Sequence, residues 1–148
     1  MADTDLKKLY TGRILELAAD IPLTERLESP DATVKKRSPL CGSTVTVDVT
    51  LRDGKIAGFG QDVKACALGQ AAASVLGGVV IGRTLAEVET ARDQLRAMLT
   101  ENGAVPNAPF DGYAVLEPAR DFRNRHASIL LAVEATAEAM AKAQAEAA

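Results

Sequence analysis

The chain has few side chains that could act as soft metal ligands. Two cysteines, Cys41 and Cys66, and a single histidine, His126, are all that its 148 residues provide. Any site built on thiolate or imidazole must draw on these three. An excess of positive charge is also missing. The formal net charge is -3, which gives no electrostatic reason to expect nucleic acid as a partner. The local groups Lys35-Lys36-Arg37 and Arg120, Arg123 and Arg125 read as solvated faces or as support for a site. No apolar run approaches the ~20 residues of a membrane span. The opening MADTDLKKLY lacks the apolar segment of a secretory signal, so a cytoplasmic location is expected. In that compartment two cysteines are free, metal-bound or catalytic sooner than joined in a structural disulfide. No C-x-x-C pair, G-x-S-x-G elbow or Walker sequence occurs. The Gly77-Gly78…Gly82 stretch lies in a helical pattern and reads as close helix packing.

What is present fits one soluble globular domain over residues 1–148. Hydrophobic residues make up 47 % and charged residues 25 %. Leu6, Leu9, Tyr10, Ile14 and Leu17 fall at helical spacing and predict a helix over 4–19. Pro22 and Pro30 break the next segment, and 34–37 reads as a short strand. Residues 44–51 alternate apolar and polar, with Val45, Val47, Val49 and Leu51 on one face. Asp53-Gly54 follows, a strong hairpin signal. The return strand runs over 56–64, where Gly58 and Gly60 mark candidate bulges. A small-residue apolar helix is predicted over 67–81. The capping box Thr84-Leu85-Ala86-Glu87 opens another helix to about Thr100, which Asn102-Gly103 closes. Residues 103–118 read as a loop, and 120–145 as a long helix whose Ala-rich end frays. The order is that of an α+β fold: a small antiparallel sheet with helices on one face.

The hairpin places the chemistry. A two-residue turn at Asp53-Gly54 pairs Arg52 with Lys55. Carried along the strands, that register pairs Cys41 with Cys66 and Ser43 with Lys64. The two cysteines would share a face with Cα atoms about 4.5–5.5 Å apart, and Asp62 would face the same way. One bulge would shift the pairing by one residue. Cys66 also opens a helix, where free N–H groups suit a thiolate used for metal or sulfur chemistry. Against this, both cysteines could be small buried hydrophobes. His126 is by itself an ordinary polar residue; with two thiolates it would make three ligands of a tetrahedral site. Water, Ser43, Asp62 or a partner group remain for the fourth. A Cys–His nucleophile pair lacks an identifiable oxyanion hole and third residue.

These segments resemble the U-type scaffolds (IscU, SufU and NifU) on which iron–sulfur clusters are assembled. Leu9-Tyr10 through Ile14-Leu15 is similar to the family's "LY…IL" helix. Glu28-Ser29-Pro30-Asp31-Ala32-Thr33 is similar to its "PDA" segment. Ser38-Pro39-Leu40-Cys41-Gly42 is similar to "NP-x-CGD", and Asp53-Gly54-Lys55-Ile56 to "DG-x-I". The stretch from Cys66 to Ser74 is similar to "GC-x-I-S-x-A-S-A-S", and Gly82-Arg83-Thr84 to "GK-S/T". The resemblance covers nearly the whole chain and implies an IscU/SufU-like fold. It implies a non-enzymatic scaffold or carrier holding iron, a transient iron–sulfur cluster or zinc. Cys41 and Cys66 match its first two cysteines. Its implied partners are a cysteine desulfurase and recipient apo-proteins, and self-association into a homo-oligomer is left open. Three departures stand out. Ser43 replaces an aspartate, and Val63 and Ala65 replace glycines. The third cysteine is absent: His126-Ala127-Ser128 aligns with "HCS" at the cost of the cysteine, or with "CAT" with His126 in the cysteine's place. The alternative reading is a divergent paralogue with a zinc-only or empty site, acting in regulation or protein interaction.

Overall fold

The computed structural model describes residues 11–39 and 42–147. The predicted helical residues 4–10, and Cys41, lie outside that range. Helix α1 spans Gly12–Ala19; strands β1, β2 and β3 span Ala32–Arg37, Thr44–Arg52 and Lys55–Lys64. Helices α2 (Ala67–Gly77) and α3 (Leu85–Thr100) follow. A 3-10 segment (Phe110–Asp121) then leads into the long α4 (Arg123–Ala147). The strands form an antiparallel meander in the order β1-β2-β3. Helix α4 lies across β1 and β2, between α2 and α3. No helix among the described residues is long and apolar enough to cross a membrane.

The β2–β3 turn follows from its residues. Asp53 and Gly54 both take positive φ, 55° and 77°, the backbone of a type I′ turn. Arg52 pairs with Lys55 and Leu51 with Ile56, as the turn predicts. A bulge then intervenes, so that Thr50 pairs with Gly58 and Ala57 has no partner of its own. Every later pair is displaced by one residue, and Lys64 stands opposite Thr44 rather than Ser43. The register from which Cys41 was paired with Cys66 therefore does not carry past the bulge, and Cys41 itself lies outside the described residues. The bulge falls at Ala57, not at Gly58 or Gly60.

Val45, Val47 and Val49 face the helices together with their partners Gln61 and Phe59. The opposite face carries a buried carboxylate. Asp48 has no exposed surface and accepts four hydrogen bonds. Two come from Arg26 (Nε at 2.6 Å and Nη2 at 3.1 Å), one from the Leu27 amide at 3.0 Å and one from the Thr33 hydroxyl at 2.6 Å. Burial pushes this carboxyl up, but the bonds from Arg26, Thr33 and Leu27 outweigh it and hold it below the ordinary carboxylate range. The 20–31 loop is thereby fastened under the sheet. The same loop covers the outer edge of β3, where the Gln61 amide donates to the Leu23 carbonyl at 2.9 Å.

Helix α2 stops at Gly77, earlier than the predicted Ile81. The chain after it turns back to pair with the start of β3: Ile56 donates to the Arg83 carbonyl, and Gly82 to that of Ile56. The Thr84–Glu87 capping box forms as predicted, with the Glu87 amide 3.2 Å from Thr84 Oγ1 and the Thr84 amide 3.1 Å from Glu87 Oε1. Asn102, at φ 54°, ends α3. Arg120 donates Nε to the Met98 carbonyl at 3.2 Å and so serves the orphan carbonyls of that helix. Lys36 pairs with Glu138 on α4 at 2.8 Å.

Residues 110–121 correct the predicted loop. They form 3-10 turns in which Phe110, Tyr113, Leu116 and Ala119 are buried. That spacing of three suits a helix with three residues per turn, since every third side chain then falls on one line. Helix α4 begins at Arg123, later than predicted, and stays helical through Ala147.

Helix α2 meets α4 where Gly69 faces Ser128. A Cβ at position 69 would lie 2.5 Å from Ser128 Oγ and 2.9 Å from the Ala65 Cβ. Elsewhere in a helix, alanine would be preferred over glycine by about 0.5–1 kcal/mol. Here overpacking of about 1–3 kcal/mol opposes that gain. Gly69→Ala is therefore expected to lower stability by about 1–2 kcal/mol in urea denaturation, against the helix-propensity trend; an increase would contradict the packing argument. For Asp48 the sign follows from its lowered pKa. Its contribution is present above the ordinary value of 3.8 and is lost as pH falls through the lower folded value. Asp48→Asn is expected to destabilise by about 2 kcal/mol at neutral pH. That deficit should shrink below about pH 4, as thermal melts of the two proteins across pH would show.

Candidate functional site

Cys66 is the N-cap of α2, with extended backbone (φ -66°, ψ 169°) and no side-chain capping bond. Its sulfur is therefore not engaged by its own helix. The residue is half-buried and its thiol is free. Cys66 Sγ lies 3.4 Å from Ser128 Oγ on α4. Ser128 Oγ in turn lies 3.2 Å from Ser43 Oγ, just before β2. Both serines are buried. Ser38 donates its amide to the Ser43 carbonyl at 2.8 Å, and Gly42 donates to the Ser38 carbonyl at 3.0 Å. Ser43, the start of α2 and the second turn of α4 thus meet at one end of the sheet.

His126 is placed differently. It is 8 % exposed, and its Nε2 lies 2.9 Å from the Ala119 carbonyl at the end of the 3-10 segment. A carbonyl oxygen only accepts, so Nε2 carries the proton of that bond and Nδ1 is left with the lone pair in the neutral ring. Positions 126 and 128 are about 200° apart around a helix. His126 therefore faces the cleft it lines with Thr100, Asn102, Arg120, Asp121 and Arg123, while Ser128 faces Cys66.

Asp62 lies on the other side of the sheet from α4. It pairs with Thr46, two residues from Asp48 along β2, and its charge favours the protonated guanidinium of Arg26. The structure thus brings Cys66 and Ser43 together through Ser128, sets His126 one helix face away, and puts Asp62 with the Arg26–Asp48 pair. Among the described residues no three His, Cys, Asp or Glu side chains gather as a metal site.

Ser128 is the residue that motif reading passes over. Alignment on His126 and Ala127 draws the eye to the first two positions of the tripeptide. Helical phase, counted back from the Gly69 contact, selects the third.

No family model matches the chain, and no curated protein matches it. Solved structures do. The chain is 43 % identical to a nitrogen-fixing NifU-like protein (N-terminal) from Brucella abortus. That match covers 96 % of this chain and 99 % of that one, with a TM-score of 0.93. The fold is also similar to that of an iron–sulfur cluster assembly scaffold protein for the SUF system from Fervidobacterium islandicum. There the identity is 17 %, the TM-score 0.79, and the coverage 89 % of this chain and 96 % of that one. With near-complete mutual coverage at that first level of identity, the chain belongs to the NifU-like, U-type iron–sulfur scaffold family, a family of non-catalytic proteins.

Proposed function

We propose that the protein is an iron–sulfur cluster assembly scaffold or carrier that holds its cargo at the end of the sheet where Cys66 lies. The observation that carries this reading is a half-buried, uncapped thiol at a helix N-terminus, in a fold that matches a NifU-like domain over almost its whole length. A helix start directs N–H groups and the positive end of the dipole at an anionic ligand, which suits a thiolate bearing iron or zinc. Cys41, two residues before Ser43 in the chain, supplies the second thiolate. His126 would join them through Nδ1, the nitrogen that the Ala119 bond leaves with a lone pair, once its side chain turns from the cleft it lines toward Cys66. Ser43 lies beside this set. Asp62 falls outside it, because it shares the far face with Arg26 and Asp48.

In this role a cysteine desulfurase supplies sulfur and recipient apo-proteins take the finished cargo. With two thiolates and one imidazole the site carries one negative charge fewer than a three-cysteine site. Such a donor set suits zinc or a cluster with a nitrogen ligand. The absence of a third cysteine supports a second reading, a zinc-only site in a protein-interaction domain.

The test is anaerobic reconstitution with iron and sulfide, followed by metal and sulfide analysis and transfer to an apo-ferredoxin. A cluster that is bound and passed on is the expected result, with Cys41→Ala and Cys66→Ala each abolishing it. His126→Ala is expected to weaken binding at least about tenfold. Zinc held without sulfide, and no transfer, would replace the scaffold by the second reading. No metal of any kind would remove both.

A further inference from the structure

We infer that Ser128 is a positioning residue for the cargo, donating a hydrogen bond to the Cys66 sulfur and linking it to the Ser43 hydroxyl. This rests on Cys66 acting as a ligand, as proposed above. The distances are 3.2 Å between the two serine oxygens and 3.4 Å from Ser128 Oγ to Cys66 Sγ. Both serines are buried, at 4 % and 2 % exposure, so water does not compete freely for these bonds.

The direction of the two bonds follows from the chemistry of the sulfur. A thiol can donate or accept, but a thiolate, free or bound to metal, only accepts. With Cys66 as thiolate, Ser128 must give its single proton to the sulfur. The contact with Ser43 is then donated by Ser43, and Ser128 oxygen accepts. A bound cargo would thus set the direction of both bonds. A hydrogen bond to a ligating sulfur withdraws charge from it, and such bonds tune the metal–sulfur unit.

The packing is built for this contact. Gly69 follows Cys66 by three residues, on the same side of α2, and any Cβ there would meet Ser128 Oγ at 2.5 Å. The glycine keeps the two helices close enough for a hydroxyl, the smallest polar group available, to reach the sulfur.

The probe is cobalt(II), titrated into the anaerobic full-length protein and its Ser128→Ala variant, with the sulfur-to-cobalt charge-transfer band as readout. Loss of the hydrogen bond leaves a more electron-rich sulfur, so the band of Ser128→Ala is expected at lower energy than that of the wild type. Affinity, measured by competition with a chelator, is expected to fall about tenfold. Ser128→Thr, which keeps the hydroxyl, should return the band toward its original position. If Ser128→Ala does not fold, as judged by circular dichroism, Ser43→Ala carries the test, with a smaller shift in the same direction. A wild-type band that the alanine variants leave unmoved would overturn this inference and leave the scaffold reading standing. Disappearance of the band in Ser128→Ala would make Ser128 itself a ligand and also overturn it. No thiolate band in the wild type would remove the scaffold reading and this inference together.

Discussion

The close approach of α2 to α4 is the constraint on which the rest of the molecule depends. It occurs where a glycine backbone meets a serine side chain. The same contact determines how deeply α4 can settle between α2 and α3. Helix α4 is buried on most of its circumference, including Ile129, Leu131, Val133, Ala135, Ala139 and Met140, as expected of a helix with neighbours on several sides. It spans β1 and β2, so its depth also sets where the sheet lies. Moving α4 outward by the width of a methyl group would loosen all three interfaces at once, because protein interiors are packed with little slack.

A core of this kind compensates for a shortage of large side chains. The chain has no tryptophan and only three phenylalanines. Its interior relies instead on alanines such as Ala71, Ala72, Ala73, Ala132 and Ala135. Small side chains bury little area each, so they stabilise mainly by letting backbones approach and make many short-range contacts. Aliphatic groups from the sheet and the row Phe110, Tyr113, Leu116 and Ala119 fill what remains. The far face of the sheet is closed in another way, by a charged pair rather than by apolar packing, because a loop and not a helix covers it.

Much of this was legible in the chain. The Asp53-Gly54 turn, the alternation of β2, the Thr84 capping box and the α+β order are local signals, and local signals survive folding. The register was legible only as far as Leu51, because the turn residues fix only the pairs beside them and Ala57, where the bulge falls, is an ordinary strand residue with no bulge signal of its own. The 3-10 segment was read as a loop because its period of three fits neither the helical nor the strand pattern, and Pro118 and Gly112 look like breakers. Of the candidate site, the position of Cys66 at the start of a helix was legible, whereas Ser128 carried no signal of its own. The site was not legible in His126, whose ring is directed by the Ala119 carbonyl, a backbone group that has no signature in sequence. Asp62 was read onto the face of Val45, but the one-residue shift at the bulge sets it opposite Thr46, on the face of Asp48.

The bulge at Ala57 also acts as a ruler. It takes up one residue of β3 without advancing along β2, so the strand runs out of partners at Lys64 instead of one position earlier. Only Ala65 is then left to convert extended backbone into the start of α2. The place of the Cys66 sulfur is therefore measured from the hairpin tip by chain length. Shortening or lengthening β3 by a single residue would rotate the beginning of α2 and carry the sulfur away from the serine hydroxyl, even with every side chain of the site unchanged.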